Sequence, residues 1–299
     1  MDEWGLSFIS KEDLTKHVKG TIEKYGDKLE SFDIERFNKN IVDPIKIIFD
    51  KTVYRASWEE IVSNEIFRQR DKATNNDIGY FHQRIFQYMQ DCHVPDNGKE
   101  GGWDVILRRP SGITLPEGDV VHSVYVEMKN KHNTMNSAAA GKTYIKMQNQ
   151  LLADDDCACF LVEAIAKRSQ NIKWTTTVDG KSVSHRKIRR VSLDQFYALV
   201  TGQDDALYQL CMVLPKVIES VINESGDVKV PHDSVLPELR EIAKQTGESD
   251  ESLAISMAIY LLGFSTYIGF DKTIHLLNDD DKERALKVLY EYAKRGKDL

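Results

Sequence analysis

Three residues carry the clearest chemistry in this sequence: Asp104, Glu127 and Lys129. Glu127 and Lys129 stand one residue apart at the end of an alternating, β-branched run, 120–128 (VVHSVYVEM). Side chains two apart on a strand point to the same face, so these two project together. Asp104 opens a second short strand, 103–107 (WDVIL). Antiparallel pairing of the two strands brings its carboxylate beside the other pair. Two carboxylates near one point, completed by the Met128 carbonyl, make a hard oxygen site for Mg²⁺. A Mg²⁺ held there polarises a phosphoryl oxygen and helps generate hydroxide. Lys129 neutralises a pentacovalent phosphate or positions the water. The chemistry is phosphodiester hydrolysis. Alone, the triplet is weakly specific, because ion pairs are common at strand ends. Here both carboxylates fall in apolar strands, where an unused charge is costly.

The elements that must position these groups can be read along the chain. The first 98 residues read mostly as helices. Ser57-Trp58-Glu59-Glu60 is a capping box that opens a helix running to about residue 70. Asn75-Asn76-Asp77 reads as a break that caps a second helix, with Ile78, Phe81, Ile85 and Met89 at helical spacing. After the 103–107 strand, 109–118 reads as a loop. A polar loop, 130–140, follows the second strand, and 143–152 reads as a helix. The continuous apolar run 157–166 (CACFLVEAIA) has the signature of a strand buried on both faces. Its Cys157 and Cys159 read as buried core thiols. Runs 173–178 and 182–191 flank Asp179-Gly180, a hairpin signal. Helices over 193–200 and 206–222 close the unit. This order predicts a mixed α/β fold. The polar, twice proline-interrupted stretch 226–237 marks a boundary. The division expected is a nuclease domain over 1–228, with a helical part to about 98 and a catalytic core over 99–228. A helical extension, 229–299, then carries three helices, ending in an amphipathic run over 282–293. The uncharged stretch 253–270 has 18 residues, but its serines, glycines and flanking acids favour buried helices over a membrane span.

The chain has 299 residues with net charge −7. That length suggests one large or two ordinary domains at ~150 residues each. The balance of 41% hydrophobic and 29% charged residues excludes disorder throughout. The four cysteines are too few for a disulfide scaffold, and the acidic, mixed N-terminus does not resemble a signal peptide. A cytoplasmic, reduced protein is the expectation. The charge is uneven. Residues 1–119 carry net −5, residues 120–200 net +5 and residues 201–299 net −7. A polyanion could be held by the middle segment alone. Nucleotide-dependent and serine-hydrolase classes find no support, since there is no Gly-rich phosphate loop and no Gly-x-Ser-x-Gly.

The strand–loop–strand Asp…Glu-x-Lys resembles the PD-(D/E)xK nuclease core, with Trp103 where that motif carries proline. Longer strings are more specific. FNKNIVDPIKIIFD (37–50), RQRDKATNNDIGYFHQRIFQYM (68–89), GGWDVI (101–106), VEMKNKHNTMNS (126–137) and YIKMQNQLL (144–152) resemble type II restriction endonucleases of the Eco47II family. The resemblance covers about residues 4–225. It implies a PD-(D/E)xK α/β core and a Mg²⁺-dependent endonuclease that reads GGNCC-type sites in double-stranded DNA. It also implies a homodimer, paired in the cell with a protecting DNA methyltransferase. Some enzymes of the superfamily add a carboxylate from an earlier helix, and Glu65 is the candidate for that extra metal ligand.

Duplex binding needs phosphate clamps and base-edge readers. Lys131, His132, Asn133, Asn136 and Ser137 follow the catalytic strand within a few residues, and Lys142 lies just beyond. Arg186, Lys187, Arg189 and Arg190 lie on the second hairpin strand, and a β-ribbon fits the major groove. A charged, solvated edge strand is the plainer account of them. Arg70, Lys72, Asn75, Asn76, Gln83 and Arg84, with Arg68, form a second polar cluster. Two other functions stay open on these residues: a less specific repair-type nuclease, and a catalytically silent DNA-binding module. The intact Asp104/Glu127/Lys129 set argues against the second.

Overall fold

The computed structural model describes residues 6–28, 31–40, 42–132, 134–225, 232–245 and 251–264. Its helices are α1 (Lys11–Lys28), α2 (Ile34–Lys39), α3 (Pro44–Val53), α4 (Trp58–Arg84), α5 (Ser137–Ala153), α6 (Leu193–Thr201), α7 (Ala206–Ser225), α8 (Val235–Gln245) and α9 (Glu251–Phe264). Its strands are β1 (Cys92–His93), β2 (Val105–Thr114), β3 (Val120–Lys131), β4 (Cys157–Ile165), β5 (Asn171–Val178) and β6 (Lys181–Ser192). They form one mixed sheet in the order β1-β2-β3-β4-β6-β5. β3, β4 and β6 run parallel, and the other neighbours are antiparallel. This is the α/β architecture read from the sequence, and it is consistent with a restriction-endonuclease-like fold.

β4 sits in the middle because its sequence allows it. Cys157 to Val162 are fully buried on both faces, and only an unbroken apolar run can occupy such a place. Each large apolar side chain buried there contributes ~1.5–3 kcal/mol. One face of the sheet packs a core of Val105, Leu107, Val124, Val126, Met128 and Phe160 with Phe86 and Phe196. The opposite face packs Trp103, Ile106, Cys159, Leu161 and Ile188 with Tyr144 and Met147 of α5. Both Cys157 and Cys159 are buried thiols, as expected. The hairpin signal also holds: Asp179 and Gly180 take φ of +49° and +75° between β5 and β6.

The stretch 130–140 is only partly loop, because β3 runs to Lys131 and α5 starts at Ser137. The stretch 109–118 is not all loop, because β2 continues to Thr114 through an irregularity between Arg108 and Ile113. That bulge absorbs Pro110 and Gly112, which a regular ladder would reject. Helix α4 also differs from expectation. The capping box forms, with Glu60 N–H donating to Ser57 Oγ (3.2 Å) and Ser57 N–H to Glu60 Oε2 (2.7 Å). The helix it opens runs unbroken to Arg84. Asn75-Asn76-Asp77 therefore does not break it. Asn and Asp are only weakly disfavoured inside helices, and tertiary placement decides here: Asp77 is buried.

The chain divides into two compact units. One contains residues up to Tyr25 and Asn75–Asp227; the other contains Gly26–Thr74 and Val228 onward. Residues 26–74 group with the C-terminal helices rather than with the α/β core. Their apolar residues explain it. Phe32, Phe37, Trp58, Ile61 and Ile66 share one core with Val235, Leu239, Ile255 and Ile259. Phe32 N–H donates to Asp233 Oδ1 (2.9 Å), and Trp58 Nε1 to Ser252 Oγ (3.3 Å). The amphipathic run 282–293 lies outside the described residues. No helix among the described residues is long and apolar enough to cross a membrane.

Candidate active site

The site is built where β2 begins and β3 ends. Gly101 and Gly102 turn the chain into β2 at φ of +75° and +68°, values that strain any residue with a Cβ. Trp103 then enters the core and Asp104 follows. Asp104 N–H donates to the Val126 carbonyl (2.9 Å), so Asp104 extends the β2–β3 ladder by one residue. Its Oδ2 accepts from the Met128 N–H (2.6 Å). Alternation along β3 sends Val126 and Met128 into one core. It sends Glu127 and Lys129 to the other face, which α5 covers. The three residues read from the sequence thus meet at one place.

A fourth residue joins them. Lys146, on α5, donates from Nζ to Glu127 Oε2 (2.8 Å) and to the Gly102 carbonyl (2.7 Å). Its ammonium also lies 4.1 Å from the centre of the Trp103 ring. Lys129 Nζ donates to the other oxygen, Glu127 Oε1 (2.7 Å). Sequence reasoning misses Lys146. Its one signal is a lone lysine between Tyr144 and Met147, both of which α5 buries.

The electrostatics separate the two acids. Burial pushes Asp104 up, against the Met128 hydrogen bond, and the Glu127 charge pushes it further, to about 6. Burial also pushes Glu127 up, but hydrogen bonds from Lys129 and Lys146 more than offset it. Glu127 therefore titrates below the usual carboxylate range. The donor set is all oxygen: two carboxylates and the Met128 carbonyl. That set fits a hard divalent cation, and a cation bound there would offset the burial penalty on the Asp104 charge. No cluster of three or more His, Cys, Asp or Glu placed to hold a metal occurs among the described residues, so water or substrate must complete any coordination.

A cleft of about 480 Å³ opens at this point. Asp104, Met128, Lys129, Asn130 and Thr134 line it from the sheet side, and Asn76, Gly79, Tyr80 and Gln83 from α4. Asn130 Nδ2 donates to the Asn75 carbonyl (2.8 Å), tying the end of β3 to the helix. A side chain on Gly79 would come within 3.2 Å of the Asn130 amide.

The model of the Eco47II restriction endonuclease family matches residues 6–223. The chain belongs to this family. It is 28% identical over 261 residues to the type II restriction enzyme Sau96I of Staphylococcus aureus, covering 84% of this chain and 95% of that one. It is 29% identical over 235 residues to the type II restriction enzyme Eco47II of Escherichia coli, covering 73% and 89%. As an Eco47II-family member, the protein is a restriction endonuclease, a site-specific deoxyribonuclease.

Within this family member, the expected DNA-contact residues fall into groups. Lys131, Ser137 and Lys142 are exposed, and Asn136 caps α5 by accepting from Ala139 N–H (2.9 Å). Asn133 lies outside the described residues. Asn76 and Gln83 line the cleft, Asn75 is tied to Asn130, and Arg84 and Lys72 are exposed. One expectation needs correction. Arg189 is only 1% exposed and is held by Glu117 and Asn171, so it cannot reach DNA. Its parity on β6 sends it to the face opposite Arg190. Arg70 donates to both oxygens of Asp233 (2.7 and 3.0 Å) and lies over Phe32, a structural role in its own unit. The Glu65 carboxylate is occupied by Arg68 (2.6 Å) and Gln69 (3.0 Å). His132 and Arg190 are also engaged. Both bind Glu163, a buried carboxylate on β4, and Arg190 donates to the His132 carbonyl (2.9 Å). Arg186 stays exposed beside Asp119 (3.1 Å), and Lys187 donates to the Asp155 carbonyl.

Proposed function

We propose that this protein is a Mg²⁺-dependent type II enzyme that hydrolyses phosphodiester bonds at a short GGNCC-type palindrome in double-stranded DNA. The observation that carries the reading is the meeting of Asp104, Glu127 and Lys129, backed by Lys146, beside a cleft that Asp104 and Lys129 line. Asp104, Glu127 and the Met128 carbonyl would hold the metal. Bound there, Mg²⁺ supplies Lewis-acid activation of the phosphate and a more acidic water. The remaining work falls to the chain. Met128 N–H and the β2–β3 ladder fix Asp104. Lys129 offers an ammonium at the cleft surface to the attacked phosphate and its water. Lys146 holds the second oxygen of Glu127. The Asn76, Gln83, Asn130 and Thr134 side chains offer donors and acceptors to base edges.

A palindromic site matches a two-fold assembly, so the proposal includes a homodimer, a cytoplasmic location and a methyltransferase that protects the host's sites. The test is digestion of unmethylated plasmid with Mg²⁺, alongside EDTA and Glu127→Ala controls. Discrete bands lost in both controls, with ends mapping to GGNCC, are expected. A smear would indicate a less specific nuclease. Intact DNA would overturn the reading.

A further inference from the structure

Helix α4 walls two grooves. One is the catalytic cleft. The other, of about 430 Å³, lies between α4 and α1. Tyr80 lines both, so the second groove continues from the first along one helix. The pairing of α1 with α4 is firm: His17 Nε2 lies 2.9 Å from the Phe81 carbonyl, and the two rings are 4.7 Å apart.

The second groove is basic in an acidic part of the chain. Lys16, Lys19 and Lys24 line it from α1 and Arg84 from α4, against two carboxylates, Glu23 and the buried Asp77. Lys24 and Arg84 approach the Tyr80 ring, at 5.7 and 5.2 Å from its centre. Four cations thus face two carboxylates across the groove. Clustered like charges repel unless something anionic is held there. Their spacing suits a polymer. Eight residues of helix, from 16 to 24, span ~12 Å. One DNA strand places a phosphate every ~3.4 Å along the duplex axis, so that length faces about three of them.

We propose that the α1–α4 groove holds the phosphate backbone of the substrate duplex outside the cleavage site, with Lys16, Lys19 and Lys24 as its sequence-independent contacts. The inference rests on the duplex-cleaving reading above, and it assigns these lysines to affinity rather than to chemistry or sequence choice.

The test compares the intact enzyme with a Lys16→Ala/Lys19→Ala/Lys24→Ala variant and with the corresponding triple arginine variant. Each cuts two duplexes that carry the same mapped site, one barely spanning it and one with long flanks, across a salt series. The wild type is expected to show higher kcat/KM on the flanked duplex. The alanine variant is expected to lose that preference. Its slope of log kcat/KM against log salt should flatten by about 0.9 for each lysine that no longer meets a phosphate, up to about 2.7 for three. Its kcat on saturating flanked duplex and its melting temperature should match the wild type, and the arginine variant should restore the slope. An unchanged slope and preference in the alanine variant would overturn the proposal. Equal cutting of both duplexes by the wild type would overturn it as well. Failure of the wild type to cut either duplex would instead remove the underlying duplex reading, and this inference with it.

Discussion

Lys146 and Lys129 divide the Glu127 carboxylate between them, one ammonium 2.8 Å from Oε2 and the other 2.7 Å from Oε1. The two lysines come from different elements, α5 and β3. The acidic pair and the two cations therefore balance, and the site is poised without excess charge. A divalent cation that takes Glu127 must compete with at least one ammonium. Lys146 is anchored a second time by the Gly102 carbonyl and the Trp103 ring, so Lys129 is the freer of the two.

Removing the anchored lysine should be visible in the pH profile. Lys146→Ala deletes one of the two groups that hold Glu127 low. The Lys146 charge also holds Asp104 down, so the acid limb of kcat/KM should move to higher pH. Activity at neutral pH should fall at least about tenfold. Lys146→Arg should restore part of both. An unchanged acid limb in the alanine variant would mean that Lys146 only packs.

The wild-type acid limb should itself be set by Asp104. Its carboxyl sits at about 6, and metal binding needs it ionised. Below that value the protonated fraction grows, so kcat/KM at limiting metal should fall about tenfold for each pH unit. Saturating Mg²⁺ favours the ionised form and should carry the limb to lower pH. A profile flat from about pH 5 to 8 at limiting metal would contradict this.

The same shift predicts a trade of activity against stability. Asp104 binds its proton more tightly folded than unfolded, since its folded pKa is raised from 3.8 to about 6. Between those values the native state holds more protons, so its contribution to stability falls as pH rises. Above about pH 6 the ionised carboxylate is a cost of order 1–3 kcal/mol in the metal-free protein. Asp104→Asn keeps an acceptor for Met128 N–H and removes the charge. Urea denaturation with EDTA present at about pH 8 should show the Asp104→Asn variant more stable by about that amount, with the gain vanishing near pH 4. Its nuclease activity should be lost. A variant destabilised at the higher pH would show that burial does not penalise Asp104.

The Asp104/Glu127/Lys129 cluster was legible because strands alternate with period two and the loop between Asp104 and Glu127 is short enough for a hairpin. The sheet was legible for a related reason: the run from Cys157 to Val162 admits no other place than the centre. Other features depend on contacts far apart in sequence. Phe32 and Trp58 carry no local sign that their core partners are Val235 and Ile255. Asn75-Asn76-Asp77 resembles a break because local propensity favours one, whereas the fold buries Asp77 and ties the Asn75 carbonyl to Asn130. Lys146 lies on a helix whose neighbours pack, and only the tertiary structure brings it to Glu127. Arg189 and Arg190 are adjacent and identical in type, and only the parity of β6 gives them opposite faces.

Glu163 supplies a prediction of a structural kind. It is 1% exposed and accepts from both Arg190 and His132. Removing one partner of a buried charge pair strands the other, at ~3–5 kcal/mol. Glu163→Ala should lower stability by about that much, and Glu163→Gln by less, because the amide oxygen still accepts. Chemical denaturation gives both values. Since Arg190 also holds the His132 carbonyl, the end of β3 and the residue after it should gain hydrogen exchange over 130–132 in either variant. Unchanged exchange there would separate the ion cluster from that segment.

Arg189 and Arg186 give the sharpest contrast, because both were candidates for DNA contact and the fold assigns them opposite tasks. Arg189 is enclosed, with Nε on Asn171 Oδ1, Nη2 on the Asn171 carbonyl and Nη1 on Glu117. Truncation empties the buried space Arg189 fills and leaves half-buried Asn171 without its donors, so Arg189→Ala should cost ~1–3 kcal/mol. Arg186 has its side chain 63% exposed, on a single ion pair with Asp119. An exposed pair of that kind contributes ~0–1 kcal/mol, so Arg186→Ala should melt within a degree or two of the wild type. If Arg186 meets phosphate, its variant should instead lose about 0.9 from the salt slope of DNA binding. A base reader at position 189 would behave the other way, folding normally while cutting relaxed sites. Parallel melting curves and digests of the two variants decide between these outcomes, and a stable Arg189→Ala protein with altered site choice would overturn the assignment made from its burial.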